Sequence, residues 1–148
     1  MPTVRRSRTV EAEPEAVWRL VADPHHMPRW WPRVQRVEDA SPEAFTVVFG
    51  SSRGKPVRAD FTRVRAERPR CLVWRQEVDE TPFERFLAAA ETELRLSPAG
   101  QRGTRVELEA RERLRGLSTL GAFMVRRATR RRLDEALESL ADIARNTA

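Results

Sequence analysis

The chain predicts an α+β fold: a curved antiparallel sheet of about seven strands around one long C-terminal helix, with two short helices after the first strand. Three observations lead there. Residues 33–113 alternate with period two, whereas residues from Gly116 onward repeat every three or four positions. Between the first strand and that run, residues 8–32 hold two proline-led helical starts and the pair Trp30-Trp31. The 148 residues predict a single domain, 1–148, long enough for one core without disulfides or metals.

Thr9 and Val10 close an extended run. Pro14 then falls in a first helical turn, which tolerates its missing N–H. Val17, Leu20 and Val21 at i, i+3 and i+4 line one apolar side of that helix. Asp23 is placed to cap a second helical turn opened by Pro24, with Met27, Trp30 and Trp31 on its apolar side. Pro28 and Pro32 keep that turn short.

Strands follow. Residues 33–40 hold Val34 and Val37 and end at a Ser41-Pro42 turn. Residues 43–49 alternate Phe45, Val47 and Phe49 against Thr46 and Val48. Residues 50–54 predict a hairpin loop with Gly50 and Gly54 at positive φ. Residues 56–67 alternate Val57, Ala59 and Phe61 against Arg58, Asp60 and Thr62. In residues 71–78, Leu72, Trp74, Gln76 and Val78 share a side. Residues 83–96 align Phe86, Ala88, Ala90, Thr92, Leu94 and Leu96, so the middle of that face is small. After a turn at 98–103, Thr104, Val106, Leu108 and Ala110 oppose Arg105, Glu107, Glu109, Arg111 and Arg113. That alternation marks a sheet with one buried and one wet face.

In the final helix Ser118, Ala122, Val125, Thr129, Leu133, Ala136, Leu140 and Ile143 form one face, small in its first half and large in its second. Across a concave sheet, the second half fills the core and the first half faces Ala88 and Ala90. Small residues on both facing elements mean either close backbone approach or a cavity.

Composition narrows the function classes. Cys71 is the lone cysteine, which excludes an intramolecular disulfide and fits a reducing, cytoplasmic setting. The first residues lack a signal-peptide core, and no stretch approaches ~18 apolar residues, so a soluble protein is expected. The net charge of +6 raises nucleic acid or acidic membranes as partners. Yet Lys55 is the single lysine among 28 basic residues, a bias that a GC-rich genome produces as readily as a binding site. His25 and His26 are adjacent, so they diverge on a helix and lack the i, i+4 spacing of a metal pair. Neither a metal nor a cofactor is expected, and no nucleophile–His–carboxylate set is present.

The segment Val10-Glu11-Ala12-x-Pro14-Glu15-x-Val17-Trp18, then Asp23-Pro24, Trp30/Trp31-Pro32 and the helix at 133–143, resembles the START-related polyketide cyclase/dehydrase and lipid-transport (SRPBCC) superfamily. The resemblance spans nearly the whole chain. It implies the helix-grip fold, with a hydrophobic cavity between sheet and long helix and a mouth near the second helix. It also implies one of several roles: cyclase, dehydratase, or carrier of lipid or quinone.

On that basis the expected function is binding of a hydrophobic polyketide-, lipid- or quinone-like molecule. Trp30, Trp31, Phe45, Phe49 and Phe61 are the expected walls on one side. Trp74, Phe86, Val106, Leu120 and Met124 complete them. The alternative for the tryptophan pair is that one anchors the small helix while the other lies on the surface.

A second reading makes the protein a cyclase or dehydratase. Arg63 continues the Val57-Ala59-Phe61 face, and Glu112 continues that of Val106-Leu108-Ala110. Inside an apolar cavity such a catalytic pair would polarise a carbonyl or relay a proton. Otherwise both, with Arg75 and Glu77, sit at strand ends in water. Related cyclases add pocket hydroxyls from Tyr or Ser, and this chain has no tyrosine.

A third reading is an interaction protein. Arg126, Arg127, Arg130 and Arg131 are expected opposite the apolar helix face, placed to meet RNA, a ribosome or an acidic membrane. Leu117, Leu120, Phe123 and Met124 also lie off that face, which suits a membrane or subunit contact. Ordinary solvated helix surface is the alternative. DNA is not an expected partner, and the chain is expected as a monomer or homodimer.

Overall fold

Among the described residues seven antiparallel strands form one sheet, in the order β1 (Thr3–Val10), β7 (Gly103–Leu114), β6 (Leu87–Ala99), β5 (Cys71–Gln76), β4 (Val57–Glu67), β3 (Ala44–Phe49), β2 (Val34–Glu38). The computed structural model describes residues 3–50 and 54–147. Strand β1 occupies one edge, and β2 the other. Helices α1 (Pro14–Val21) and α2 (Met27–Trp30) carry the chain between those edges. Strands β3, β4, β5, β6 and β7 then return it, strand by strand, to β1. Helix α3 (Thr119–Thr147) follows. This is the α+β architecture the alternation predicts, in the helix-grip arrangement the resemblance implies.

The local signals act where expected. Pro14 opens α1, and the Asp23 carboxylate caps the short 3-10 turn Pro24–His26 by accepting from the His25 amide. Of the 50–54 loop, residues 51–53 lie outside the described residues; Gly54 has φ +88°, whereas Gly50 does not take positive φ. The expected strand at 83–96 begins later. Pro82–Arg85 is a 3-10 turn, held by the Thr81 hydroxyl on the Phe83 amide, and β6 starts at Leu87 with a bulge before Ala89. Gly116, at φ +66°, turns the chain from β7 toward α3, a conformation costly for any side chain.

The trailing half of α3 lies on the concave face, burying Leu133, Ala136, Leu137, Leu140, Ala141 and Ala144 against Leu72, Leu94, Leu96, Val106 and Leu108. A bidentate pair, Arg6 to Asp134 at 2.8 and 2.9 Å, ties the middle of the helix to edge strand β1. The convex face carries an ion-pair lattice. Arg111 bridges Glu91 at 2.8 Å, Glu93 at 3.1 Å and Glu109, while Arg5 and Arg95 close on the same carboxylates. Burial alone would raise the pKa of Glu93 and Glu109, but the arginines outweigh it and hold both below the ordinary carboxylate range. Cys71 is buried beneath this lattice, its thiol pushed up by burial and by Glu93.

Candidate cleft beneath the leading half of the long helix

Register assembles the candidate site. Phe45, Phe61, Gln76, Ala90 and Glu112 form one cross-strand row over β3 to β7, on the concave side. Arg63, Trp74, Thr92 and Ala110 form the next. Moving along β6 toward its start, Leu96 and Leu94 are fully covered, whereas Thr92, Ala90 and Ala88 are only half-buried. The same gradient runs along α3, from sealed Leu133 and Thr129 to half-buried Val125 and Ala122. The small residues on the two facing elements therefore leave the concave face reachable by solvent below the leading turns of α3.

A polar group sits at the back of this cleft. The Thr129 hydroxyl, 1% exposed, donates to Glu112 Oε1 at 2.7 Å. Arg132, one turn further on, reaches the Thr129 oxygen at 3.4 Å and Glu112 Oε2 at 3.9 Å. Burial lowers the Arg132 pKa and Glu112 opposes it, although 41% of the side chain stays accessible. A guanidinium inside a concavity has that combination: water reaches it, but protein surrounds it. On the neighbouring strand the Gln76 Nε2 is buried and finds no acceptor. Phe61 and Ala90, both apolar, flank it across the strands.

The tryptophans take a different role. Trp30 packs edge-on to Trp31 at 5.5 Å and Trp31 to Trp74 at 6.2 Å, while Phe45 stacks on Phe61 at 5.4 Å. Trp30, Trp31, Phe45 and Trp74 are all core residues. The cavity that Trp30, Phe45 and Trp74 leave, bounded by Arg63, Val21 and Met27, holds about 10 Å³. That admits about one water molecule and no polycyclic ligand. The Trp30 indole N–H is buried there without an acceptor. Arg63 turns toward this cavity and donates to the Ala22 carbonyl; burial lowers its pKa, and Asp23 opposes that. A larger hollow of about 280 Å³ lies elsewhere, between α1, α2 and the trailing end of α3, with Leu20, His26, Arg29 and Ile143 among its walls.

The other predicted residues divide. Phe61 and Phe86 are half-buried near the cleft, and Phe49 is half-buried on the same face of β3 as Phe45. Val106 is sealed beneath the trailing half of α3, away from any opening. Leu120 and Met124, expected as walls, are 68% and 62% exposed. Met124 stands nine residues before Leu133, half a turn off the buried side. Arg63 and Glu112 both face inward from β4 and β7, but three strand spacings, about 14 Å, separate their backbones. They flank the concave face instead of meeting. Arg75 and Glu77 are exposed. Arg126 is also exposed, but it stands two turns before Leu133, on the helix's inward side and not opposite it. His25 binds Asp23, and His26 Nδ1 lies 3.1 Å from the Leu20 carbonyl, so both serve as local cap contacts. Thr129, Arg132 and the amide of Gln76 escaped sequence reasoning as a polar set. Their signals were an i, i+3 pair on the face of α3 turned to the sheet and the parity that puts Gln76 on the side of Leu72 and Trp74.

The family model described as polyketide cyclase / dehydrase and lipid transport matches residues 1–145. The chain belongs to this family. Among solved structures, the polyketide cyclase/dehydrase-family chain is similar to a START superfamily protein from Mycobacterium smegmatis, with a TM-score of 0.79 at 13% identity over 99% of both chains. It is also similar to the Zhui aromatase/cyclase from a Streptomyces species, with a TM-score of 0.78 at 17% identity over 97% of this chain and 93% of that one. The di-domain ARO/CYC BexL aligns with a TM-score of 0.78 at 21% identity, over 96% of this chain and 46% of BexL. At these identities the likeness establishes the fold. No curated protein matches the chain. Among the described residues no helix is long and apolar enough to cross a membrane.

Proposed function

We propose that this polyketide cyclase/dehydrase-family protein binds an apolar, carbonyl-bearing molecule of polyketide, lipid or quinone type beneath the leading half of α3. The observation that carries this reading is the Gln76 Nε2, a buried donor with no acceptor, flanked by Phe61 and Ala90. Native proteins seldom leave such a group unpaired. A ligand oxygen supplies the missing acceptor, while Phe61, Ala90 and Thr92 take the hydrocarbon at ~25 cal/mol per Å² of apolar area covered. Arg132, already inside the concavity, offers a second donor.

A cyclase or dehydratase is the second reading, favoured by the Glu112–Thr129–Arg132 cluster. Glu112 would accept a proton from the carbon next to a ligand carbonyl, and Arg132 would stabilise the oxygen that gains charge. Arg63, on the far side of the concave face, would position the other end of a long substrate and take no part in the proton transfer.

Native mass spectrometry of freshly isolated protein tests the binding reading for a co-purified small molecule. Titration with menadione, a naphthoquinone with two carbonyls, tests it by quenching of Trp74. Saturable quenching that weakens in Gln76→Leu supports the cleft. Absence of any bound molecule together with no saturable quenching overturns it.

A further inference from the structure

The leading end of α3 places large apolar side chains in water. Leu120 is 68% exposed, Phe123 52% and Met124 62%, and Leu117, two residues before the helix, is 36% exposed. The described residues contain only two other exposed large apolar side chains, Val57 and Val64. Exposed apolar groups gathered at one place mark a contact surface, whereas scattered ones do not.

Charge continues the same stripe. Leu120, Phe123, Met124, Arg127, Arg130 and Arg131 follow at three- and four-residue steps, so they share one outer side over about 17 Å. The first turn of that stripe is apolar, and the next two are cationic. Arg126, Arg127, Arg130 and Arg131 are all exposed, and among the described residues none has an ion-pair or hydrogen-bond partner. Elsewhere on this helix Asp134 engages Arg6, and Asp142 engages Arg145. The partner of this stripe must therefore offer anionic oxygen beside an apolar phase.

We propose that the leading end of α3 docks on the surface of an acidic phospholipid bilayer. Leu120, Phe123 and Met124 enter the boundary between headgroups and acyl chains, and Arg127, Arg130 and Arg131 meet the phosphates. Two rivals fit less well. RNA answers the arginines but leaves three large apolar side chains in water. A two-fold contact with a second copy covers the apolar groups but brings the two arginine clusters together. This docking requires no ligand in the cleft, so its failure leaves the binding reading untouched.

Co-sedimentation with vesicles tests it, comparing phosphatidylcholine alone with the same lipid containing about a third phosphatidylglycerol. The protein is expected to pellet with the acidic vesicles only, and to be released as salt is raised. Each Arg→Gln change is expected to weaken binding about five-fold, and R127Q/R130Q/R131Q together about a hundred-fold. L120S/F123S/M124S is expected to abolish binding with all arginines in place. These positions are exposed, and unchanged thermal unfolding checks that the variants fold. A second readout uses Met124→Trp, whose emission should shift to the blue on acidic vesicles; the native Trp18, Trp30, Trp31 and Trp74 are buried and stay silent. The proposal is overturned by equal binding to both vesicle types or to neither, or by binding that survives the apolar triple substitution. RNA binding that survives it, or a dimer that Phe123→Ser splits, overturns it equally.

Discussion

Replacing Gln76 with leucine should move stability and affinity in opposite directions. The Nε2 is buried without an acceptor, and such an orphan costs about 1–3 kcal/mol in the folded state. Leucine has nearly the same bulk and faces Phe61 and Ala90 across the strands, so it fills the site without an unmet polar group. Ligand-free Gln76→Leu should therefore be stabilised by about 1 kcal/mol, which raises Tm by about 2–4 °C in a domain this size. With a carbonyl ligand bound, the wild-type amide gains an acceptor that leucine cannot use. Gaining that acceptor is worth about 1–2 kcal/mol, which predicts that Kd for menadione rises about 5- to 30-fold. Thermal unfolding by circular dichroism reads the first effect, and fluorescence titration reads the second. Loss of stability in the variant would mean that the amide already has a partner. Unchanged affinity beside raised stability would mean that the ligand does not reach it. Either result refutes the reasoning.

Other consequences follow from the polar contacts. Arg111→Met removes the guanidinium shared by Glu91, Glu93 and Glu109, leaving two nearly sealed carboxylates short of charge; urea denaturation at neutral pH should show a loss of about 2–4 kcal/mol. Because Glu93 and Glu109 titrate below their unfolded values, they stabilise the fold at pH above about 4.3, and this is lost as pH falls through their lower folded pKa values. Urea midpoints should therefore hold steady through neutrality and fall in acid, with the acid-dependent part smaller in Arg111→Met. Thr129→Val keeps the shape of a sealed side chain but removes its 2.7 Å bond to Glu112, for a loss of about 1–2 kcal/mol seen as a lower urea midpoint.

Much of the architecture was legible because periodicity belongs to the chain. Alternation along Thr104 to Arg113 forces one wet and one dry face, and the three-and-four spacing from Thr129 to Leu140 forces a helix with one buried side. Two boundaries were not legible. Residues 83–86 alternate like a strand, yet Thr81 and Pro82 wind them into a turn, because a local hydroxyl cap satisfies the Phe83 amide before any strand does. The bulge before Ala89 likewise depends on how β7 pairs and leaves no mark in the alternation.

The candidate site was legible only as a face. The row Phe61, Gln76 and Ala90 could be assigned to the concave side from parity alone. Which members meet depends on strand order, and Arg63 and Glu112 share a face yet stand three strands apart. The tryptophans carry the family resemblance, but their aromatic bulk packs them edge-on against one another in the core, so they do not stand open as cavity walls.

The amino-acid order by itself determined the class of fold, the single antiparallel sheet, the long closing helix and the arginine-rich start of that helix. Each is set by short-range spacing, which needs no knowledge of partners. Only the tertiary structure decided that Thr129 and Arg132 meet Glu112, that Gln76 lacks an acceptor, and that Leu120 and Met124 follow the reading that sets them off the packed face and not the one that makes them pocket walls. Those outcomes depend on how far α3 overhangs the sheet, a distance fixed by packing between residues remote in sequence.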